Sequence, residues 1–167
     1  MGLWSTEVHE LMLRTLLPKM SSSDLFNVEA GSAFVDRTAN QFAVDSSFQH
    51  AMTDPGQSVD EARKKACQFI LTNISLYEKF KDSNVGRYRT MAHRALGMAL
   101  HPIMDSTSPS HEGWQTWEPT AHPLDSISGH GNRSPEDLKH LTSARLNMAL
   151  AKMRRVMRGE DCTCVMR

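Results

Sequence analysis

Apolar residues recur every three or four positions along most of the chain, and the strict alternation typical of strands is scarce. The first such segment runs from Trp4 to Met20, with Pro18 closing it. A second follows the N-cap cluster Ser22-Ser23-Asp24 and continues to about Asn40. The apolar stripe of the first segment consists of Trp4, Val8, Leu11, Met12 and Leu16.

Three more helices are predicted beyond the turn at Asp54-Pro55-Gly56. One extends from Ser58 to Phe80, one begins near Asn84 and ends at Pro109, and one begins at Ser134-Pro135-Glu136 and runs to about Met157. The buried stripe expected in the first of them is Ala66, Phe69, Ile70, Ile74 and Tyr77.

Between residues 106 and 134 the composition turns to Pro, Gly, Ser, His and Trp, and an irregular segment of that length indicates a site wall rather than a simple connector. The pattern as a whole predicts an all-α fold, a single bundle of about five helices with one long irregular loop. We expect one domain over residues 1–158 and a flexible tail over 159–167.

Composition narrows the class of protein further. The chain has 167 residues, 40% of them hydrophobic and 23% charged, as in a globular domain rather than a disordered one. Nineteen basic and nineteen acidic side chains cancel, which argues against a non-selective nucleic-acid binder. No apolar run is long enough to span a membrane, and the start lacks the features of a signal peptide.

The three cysteines do not indicate a disulfide framework. Cys67 lies in a helical pattern and is expected to be a small buried apolar residue. Cys162 and Cys164 lie in the short polar tail, where no partner for metal binding is apparent.

The run His101-Pro-Ile-Met-Asp105-Ser-Thr-Ser-Pro109-Ser-His111 carries the candidate chemistry. His101 and Asp105 are one helical turn apart on the same face, and the turn after Pro109 can bring His111 back toward them. Two imidazoles and a carboxylate that can bridge suit zinc. The alternative is a pair of polar histidines at a helix end with a capping Asp.

A helical bundle with Leu100-His-x3-Asp-x3-Pro-x-His resembles the zinc-dependent phospholipase C and single-strand nuclease superfamily. In that family three zinc ions lie in the bundle, and the amino group and carbonyl of an N-terminal Trp bind metal. The resemblance implies two to three zinc ions here. The residues that match its ligand pattern are Trp4, His9, Asp36, His50, His101, Asp105 and His111, with Asp45 a less suitable substitute for Asp36.

Two departures from the family pattern matter. Trp4 is not the first residue, but Gly2-Leu3 resembles the end of the signature after which Rhs-type polymorphic toxins are cleaved, and that cleavage would free the amino group of Trp4. The alternative is that Trp4 binds no metal and anchors the first helix in the core. The family's last ligand pair is a His with an acidic residue one helical turn later. The second departure is that no His after His111 is followed four residues later by an acidic residue.

Several residues are alternatives for that last ligand pair. Glu136 and His140 have the reverse order, one turn apart; His130 is a further candidate, and His122 with Asp125 a poorer one. Any of them can instead be a polar surface residue.

The resemblance implies zinc-dependent phosphodiester hydrolysis, with Asp105 bridging two metals and Asp36 or a metal-bound hydroxide as the base. A phospholipase C would use Trp114 and Trp117 as an apolar rim, whereas a single-strand nuclease would need a basic groove such as Arg87, Arg89 and Arg94. The neutral charge favours the phospholipid substrate. A non-catalytic helical interaction module is the alternative of another class.

The toxin resemblance also implies partners and a place of action. They are the N-terminal Rhs core before cleavage and a cognate immunity protein that covers the metal cleft. We expect an antibacterial effector of type VI secretion, delivered into a target cell. It would act at the membrane or periplasm as a phospholipase, or in the cytoplasm as a nuclease.

Overall fold

The structure is a computed structural model that describes residues 6–38, 46–109, 111, 113–116 and 141–167. Those ranges contain α-helices and no extended strand, so the prediction of an all-α fold is confirmed. The helices are α1 (Thr6–Leu16), α2 (Ser22–Thr38), α3 (Val59–Phe80), α4 (Gly86–Asp105), α5 (Ser143–Met157) and α6 (Cys162–Val165), with a 3₁₀ turn at Ser47–His50 between α2 and α3.

Helix α4 lies at the centre of the described fold and contacts α1, α2, α3, α5 and the 3₁₀ turn. Every residue from 99 to 105 is buried, so the half of α4 that carries His101 and Asp105 is enclosed on all sides. Leu100, Ile103 and Met104 of the same half of the helix are fully buried in the hydrophobic core. The polar pair therefore lies inside an apolar core, where water cannot easily compensate its charges.

Two glycines allow α2 and α4 to approach unusually closely. A Cβ atom on Gly97 would lie 1.9 Å from the carbonyl oxygen of Val28, and one on Gly31 would lie 2.0 Å from that of Arg94. The helix backbones therefore touch where other residues would hold them apart. This contact brings the end of α2, with Asp36, against the face of α4 that carries His101.

The apolar stripes were predicted well in α3 and less well in α1. Ala66 and Ile70 are buried in α3, and Ile74 and Tyr77 pack against the core. In α1, however, Leu11 is exposed and its neighbour Leu13 is buried instead. None of the described helices is both long and apolar enough to cross a membrane.

Helix α4 ends at Asp105 rather than at Pro109, and Pro102 lies inside it. The hydroxyls of Ser106 and Thr107 donate to the carbonyls of Ile103 and Met104, each at 2.7 Å, and thereby satisfy groups that the helix end leaves without partners. These side chains, not the proline, close the helix.

Helix α5 begins at Ser143, because Thr142 has an extended backbone and its hydroxyl accepts from the Arg145 amide. The helix predicted to run to about Met157 is therefore confirmed from Ser143 to Met157, but residues 141 and 142, which were expected to be helical, precede it. The predicted start at Ser134-Pro135-Glu136 lies outside the described residues.

Two expectations about the cysteines and the tail were wrong. Cys67 of α3 and Cys162 form a disulfide, and Cys164 is free and exposed. The tail includes helix α6, and Val165 and Met166 are buried against the core. The two bonded cysteines are 95 residues apart in sequence, so only the packing of α6 on α3 reveals the pair.

Candidate metal centre

Five polar side chains from four elements converge beside α4. His9 comes from α1, Asp36 from α2, His50 from the 3₁₀ turn, and His101 and Asp105 from α4. His101 and Asp105 are fully buried, His9 and His50 are almost so, and Asp36 keeps partial contact with solvent. All five belong to the ligand set that the family resemblance implies.

Local structure fixes His9 and His50. His9 shares a face of α1 with Met12 and Leu13, three and four residues later, which are fully buried, so its ring lies on the core-facing side of the helix. The turn bearing His50 is fixed by a bond from the Ser47 hydroxyl to the Asp54 carboxylate at 2.6 Å. It ends at Ala51, which has a left-handed backbone with φ of 55°. The imidazole of His50 is thereby held against α4.

Four donor atoms form the first group: Oδ1 of Asp36, Nδ1 of His50, Nε2 of His101 and Oδ2 of Asp105. Nε2 of His101 lies 3.4 Å from Asp36 Oδ1, 3.1 Å from His50 Nδ1 and 3.1 Å from Asp105 Oδ2. Nδ1 of His50 is also 3.1 Å from Asp105 Oδ2.

The second group uses the other oxygen of Asp105. Nε2 of His9 lies 3.0 Å from Asp105 Oδ1, and the His9 and His101 rings are 4.5 Å apart between centroids. His9, His101 and Asp105 each offer a donor atom within 4.8 Å of the others. Asp105 thus directs one oxygen toward each group, as a carboxylate bridging two cations does.

Hydrogen bonding alone does not account for the first group. The two ring nitrogens of His50 and His101 carry at most two hydrogens for the four contacts they make there. In addition, Oδ1 of Asp36, which belongs to this group, is buried without a hydrogen-bond partner among the described residues. A cation at the centre would satisfy these converging lone pairs.

The spacing of the donors fits zinc. Ligands about 2.0–2.1 Å from a tetrahedral zinc lie roughly 3.3 Å from one another, and the four donor–donor distances that involve His101 or join His50 to Asp105 are 3.1 to 3.4 Å. Imidazole and carboxylate are also ligand types that zinc accepts. The residues present therefore fit the metal that the sequence implied.

The electrostatics favour positive charge at this point. Burial by itself lowers the pKa of the His101 imidazole, but Asp105 and Asp36 outweigh it and raise the pKa to about 9. Burial likewise raises the pKa of Asp105, yet His101 and the bonds from His50 and His9 hold it well below its usual range. Without a metal the cluster thus keeps a proton, and a cation that binds there displaces it.

One residue of the site was missed by sequence reasoning. The hydroxyl of Ser32 lies 3.1 Å from Nδ1 of His101, the ring nitrogen that faces away from the first group. A partner there fixes the orientation of the ring. Ser32 precedes Asp36 by one helical turn, and that spacing is the sequence signal that could have revealed it.

The remaining implied ligands are not brought into these groups by the described structure. His111 is buried in the turn after α4 and belongs to neither group. The other candidates, with the alternatives weighed for them, lie outside the described residues: Trp4, Asp45, His122, Asp125, His130, Glu136 and His140.

The substrate-contact residues need correction. Trp114 is 4% exposed and its indole N–H donates to the Met166 carbonyl, so it cannot form an apolar rim; Trp117 lies outside the described residues. Of the proposed basic groove, Arg89 is held by Asp24. Arg87, which lies over the Tyr88 ring, and Arg94 are exposed without a described ion pair.

Comparison with known proteins adds no relative, because no family model, no curated protein and no solved structure matches this chain. The geometry of the cluster therefore carries the functional argument.

Proposed function

We propose that the protein is a zinc-dependent phosphodiester hydrolase of the phospholipase C type. The observation that supports it is the convergence of five side chains: His9, Asp36, His50, His101 and Asp105. The donor distances of the first group fit a zinc site, and Asp105 directs its other oxygen toward His9. Zinc bound there supplies a Lewis acid that lowers the pKa of water and neutralises charge on phosphoryl oxygens.

The burial and contacts of Asp105 and Asp36 indicate a different role for each. Asp105 is fully buried, with one oxygen toward each group, and its role is to hold the two sites together. Asp36 is the member of the cluster with the most solvent access, since its side chain is 14% exposed. It is therefore the group placed to accept a proton from an attacking water.

A phospholipid is the substrate we favour. Phe26 and Phe34 are exposed on α2, the helix that also carries Asp36, and the net charge of the chain is zero. Exposed aromatic rings suit contact with an apolar substrate, and a neutral protein is a weak ligand for a polyanion. Single-strand nuclease activity would use the same metal chemistry and is an outcome of the experiment below.

We also propose delivery as an Rhs-type antibacterial toxin, with a cognate immunity protein as partner. The support is the sequence Gly2-Leu3-Trp4 together with the Cys67–Cys162 disulfide, which is typical of proteins that act in oxidising compartments such as the periplasm. Co-expression with the product of the neighbouring gene should relieve toxicity; toxicity that persists with every neighbouring product would contradict this part.

The test of the activity compares zinc-loaded protein beginning at Trp4 on phosphatidylcholine, phosphatidylethanolamine and single-stranded DNA. Release of diacylglycerol supports the phospholipase, and release of nucleotides would support the nuclease instead. His101→Ala should abolish the activity. His93→Gln is the matched control, because His93 is also buried on α4 but bonds to the Arg89 carbonyl and lies in neither group.

If neither substrate is cleaved and the protein binds no zinc, both enzyme hypotheses fail. The chain would then be a non-catalytic helical interaction module. Activity that survives His101→Ala would overturn the assignment of the cluster.

A further inference from the structure

A series of contacts connects the Cys67–Cys162 disulfide to the candidate metal centre, and it ends at His50. His50 lies on a 3₁₀ turn of four residues, whereas the other four members of the centre lie on helices of 11 to 20 residues. Helical segments as short as this turn are not stable alone. The bonds that attach the segment around His50 to the rest of the fold therefore decide where its imidazole lies.

Thr53, three residues after His50, attaches this segment to residues 113–116. Its amide donates to the Gln115 carbonyl at 3.1 Å, and its hydroxyl donates to the Thr116 hydroxyl at 3.0 Å. Thr53 is only 2% exposed, so water does not readily replace these bonds if they break. The position of residues 113–116 therefore bears on the position of the His50 turn.

The backbone of Trp114 holds residues 113–116 in an unfavourable conformation. Its φ is 60°, in the left-handed region that a residue other than glycine rarely adopts. Such a conformation persists only where the surrounding contacts impose it. Those contacts are the burial of the indole ring and the bond from its N–H to the Met166 carbonyl at 3.3 Å. Loss of this bond would let Trp114 relax and would move its neighbours away from Thr53.

The acceptor of the Trp114 bond is held in place through helix α6. Met166 directly follows α6, which has only four residues and is not stable by itself either. The disulfide from Cys162 to Cys67 attaches α6 to α3, a helix of 22 residues. The burial of Val165 and Met166 adds to this attachment. Without the disulfide only noncovalent contacts hold the Met166 carbonyl opposite Trp114.

We propose that formation of the Cys67–Cys162 disulfide activates the metal centre by strengthening its binding of zinc. This inference rests on the proposed zinc centre. Oxidation forms the bond between the two sulfurs, and the two electrons and two protons reduce a small-molecule or protein disulfide to two thiols. The thiol form prevails in a reducing cytoplasm and the bonded form in an oxidising compartment. Both cysteines are buried once bonded, so the bond resists reductants after it has formed.

The test measures the zinc affinity of the full chain by competition with a chelator, in a Cys164→Ala background that has no free thiol. Replacement of Cys67 and Cys162 by Ala stands for the reduced form, because free thiols would themselves bind zinc. We expect this double variant to bind zinc about tenfold more weakly, since loss of a group that only orients a ligand typically lowers metal affinity about 10- to 100-fold.

Trp114→Phe interrupts the series of contacts while the disulfide is intact. It keeps a buried ring but removes the N–H that donates to the Met166 carbonyl, and it should weaken zinc binding about three- to tenfold. Added to the double variant, it should cause little further loss, because both changes remove the same support. Thr53→Val should also weaken binding, whereas Thr53→Ser, which keeps the hydroxyl, should not.

Leu150→Ala is the control for a general loss of stability. Leu150 is buried in α5, so its truncation leaves a cavity, but its side chain takes part in none of these hydrogen bonds. This variant should be less stable and should keep its zinc affinity. Circular dichroism gives the temperature at which each variant is folded. If the double variant does not fold, Trp114→Phe and Thr53→Val decide the question.

Three results overturn the inference. They are a zinc affinity that neither the double variant nor Trp114→Phe changes, a loss in Leu150→Ala as large as that in the double variant, and losses from Trp114→Phe and the double variant that add fully. The unaltered protein separates this inference from the proposed function. If its disulfide-bonded form binds no zinc, both fail; if it binds zinc with an affinity independent of the disulfide and of Trp114, only this inference fails.

Discussion

The disulfide between Cys67 and Cys162 should supply a large part of the stability of this fold. The bonded residues are 95 positions apart, so the cross-link closes a long loop in the unfolded chain. The loop-closure relation assigns a loop of that length about 4.7 kcal/mol at 25 °C. Because the whole protein is expected to be stable by only about 5–15 kcal/mol, removal of the bond is a severe perturbation.

The variant that tests this replaces Cys67 and Cys162 together by Ala, which leaves no buried hydroxyl without a partner. We expect the free energy of unfolding in urea to fall by about 3–5 kcal/mol, and the midpoint of thermal unfolding by roughly 6–20 °C, for a domain of this size. Circular dichroism under non-reducing conditions measures both. Cys164→Ala is the control, because Cys164 is exposed and unbonded.

A loss below about 1 kcal/mol in the double variant would refute the reasoning, since the removal of a native disulfide typically costs about 2–5 kcal/mol. An equal loss in Cys164→Ala would refute the pairing itself. We also expect a reductant to destabilise the unaltered protein and to leave the double variant unaffected.

Three further predictions concern the packing and the surroundings of the cluster. Gly97→Ala should lower the free energy of unfolding by at least about 3 kcal/mol, because its Cβ would lie 1.9 Å from a carbonyl oxygen of α2. A Cβ at Gly86, on the same helix, meets open space, so Gly86→Ala should change that free energy by under about 1 kcal/mol. Urea unfolding of the two variants tests the difference. Arg89 holds the pKa of Asp24 well below its usual range, so this pair stabilises the fold above pH about 4 and the effect is lost as the pH falls below that value. Asp24→Asn should therefore cost about 1 kcal/mol at pH 7, because Arg89 is half exposed, and the difference should vanish in acid; a constant difference from pH 7 to pH 2 would contradict the ion pair. Ser32→Ala should weaken zinc binding about 10- to 100-fold in a competition with a chelator, because the hydroxyl of Ser32 orients the His101 ring. The unfolding midpoint of the metal-free protein should stay nearly unchanged. An unaltered zinc affinity would contradict the role of Ser32 in positioning His101.

The helices were predictable because their signals are local. Amphipathic spacing identified α3, and the capping box at Ser58 and Glu61 lies where that helix was expected to begin. Helix ends were less predictable. Pro109 gave the stronger sequence signal, but hydroxyl groups that bond back to carbonyls had already closed α4 at Asp105. Such bonds depend on rotamers that spacing does not specify.

The candidate site shows the same limit. His101 and Asp105 were predictable from spacing along one helix, while Asp36 and His50 followed only from a family resemblance, because they lie on other elements. The glycine contact that brings α2 to α4 had no recognised signal at all. Packing between distant segments also hid the disulfide and the buried position of Trp114.

Zinc content measured by mass spectrometry on the dialysed protein tests the central claim most directly. The first group has four described donors, whereas the second adds only His9 Nε2 and Asp105 Oδ1, because Nε2 of His101 belongs to the first group and its Nδ1 is bonded to Ser32. We therefore predict one tightly bound zinc ion per chain and a second that is lost more readily on dialysis. We also predict a loss of at least one ion in His101→Ala and no loss in His93→Gln. A protein with less than one zinc per chain, or with the same zinc content in both variants, would contradict the account.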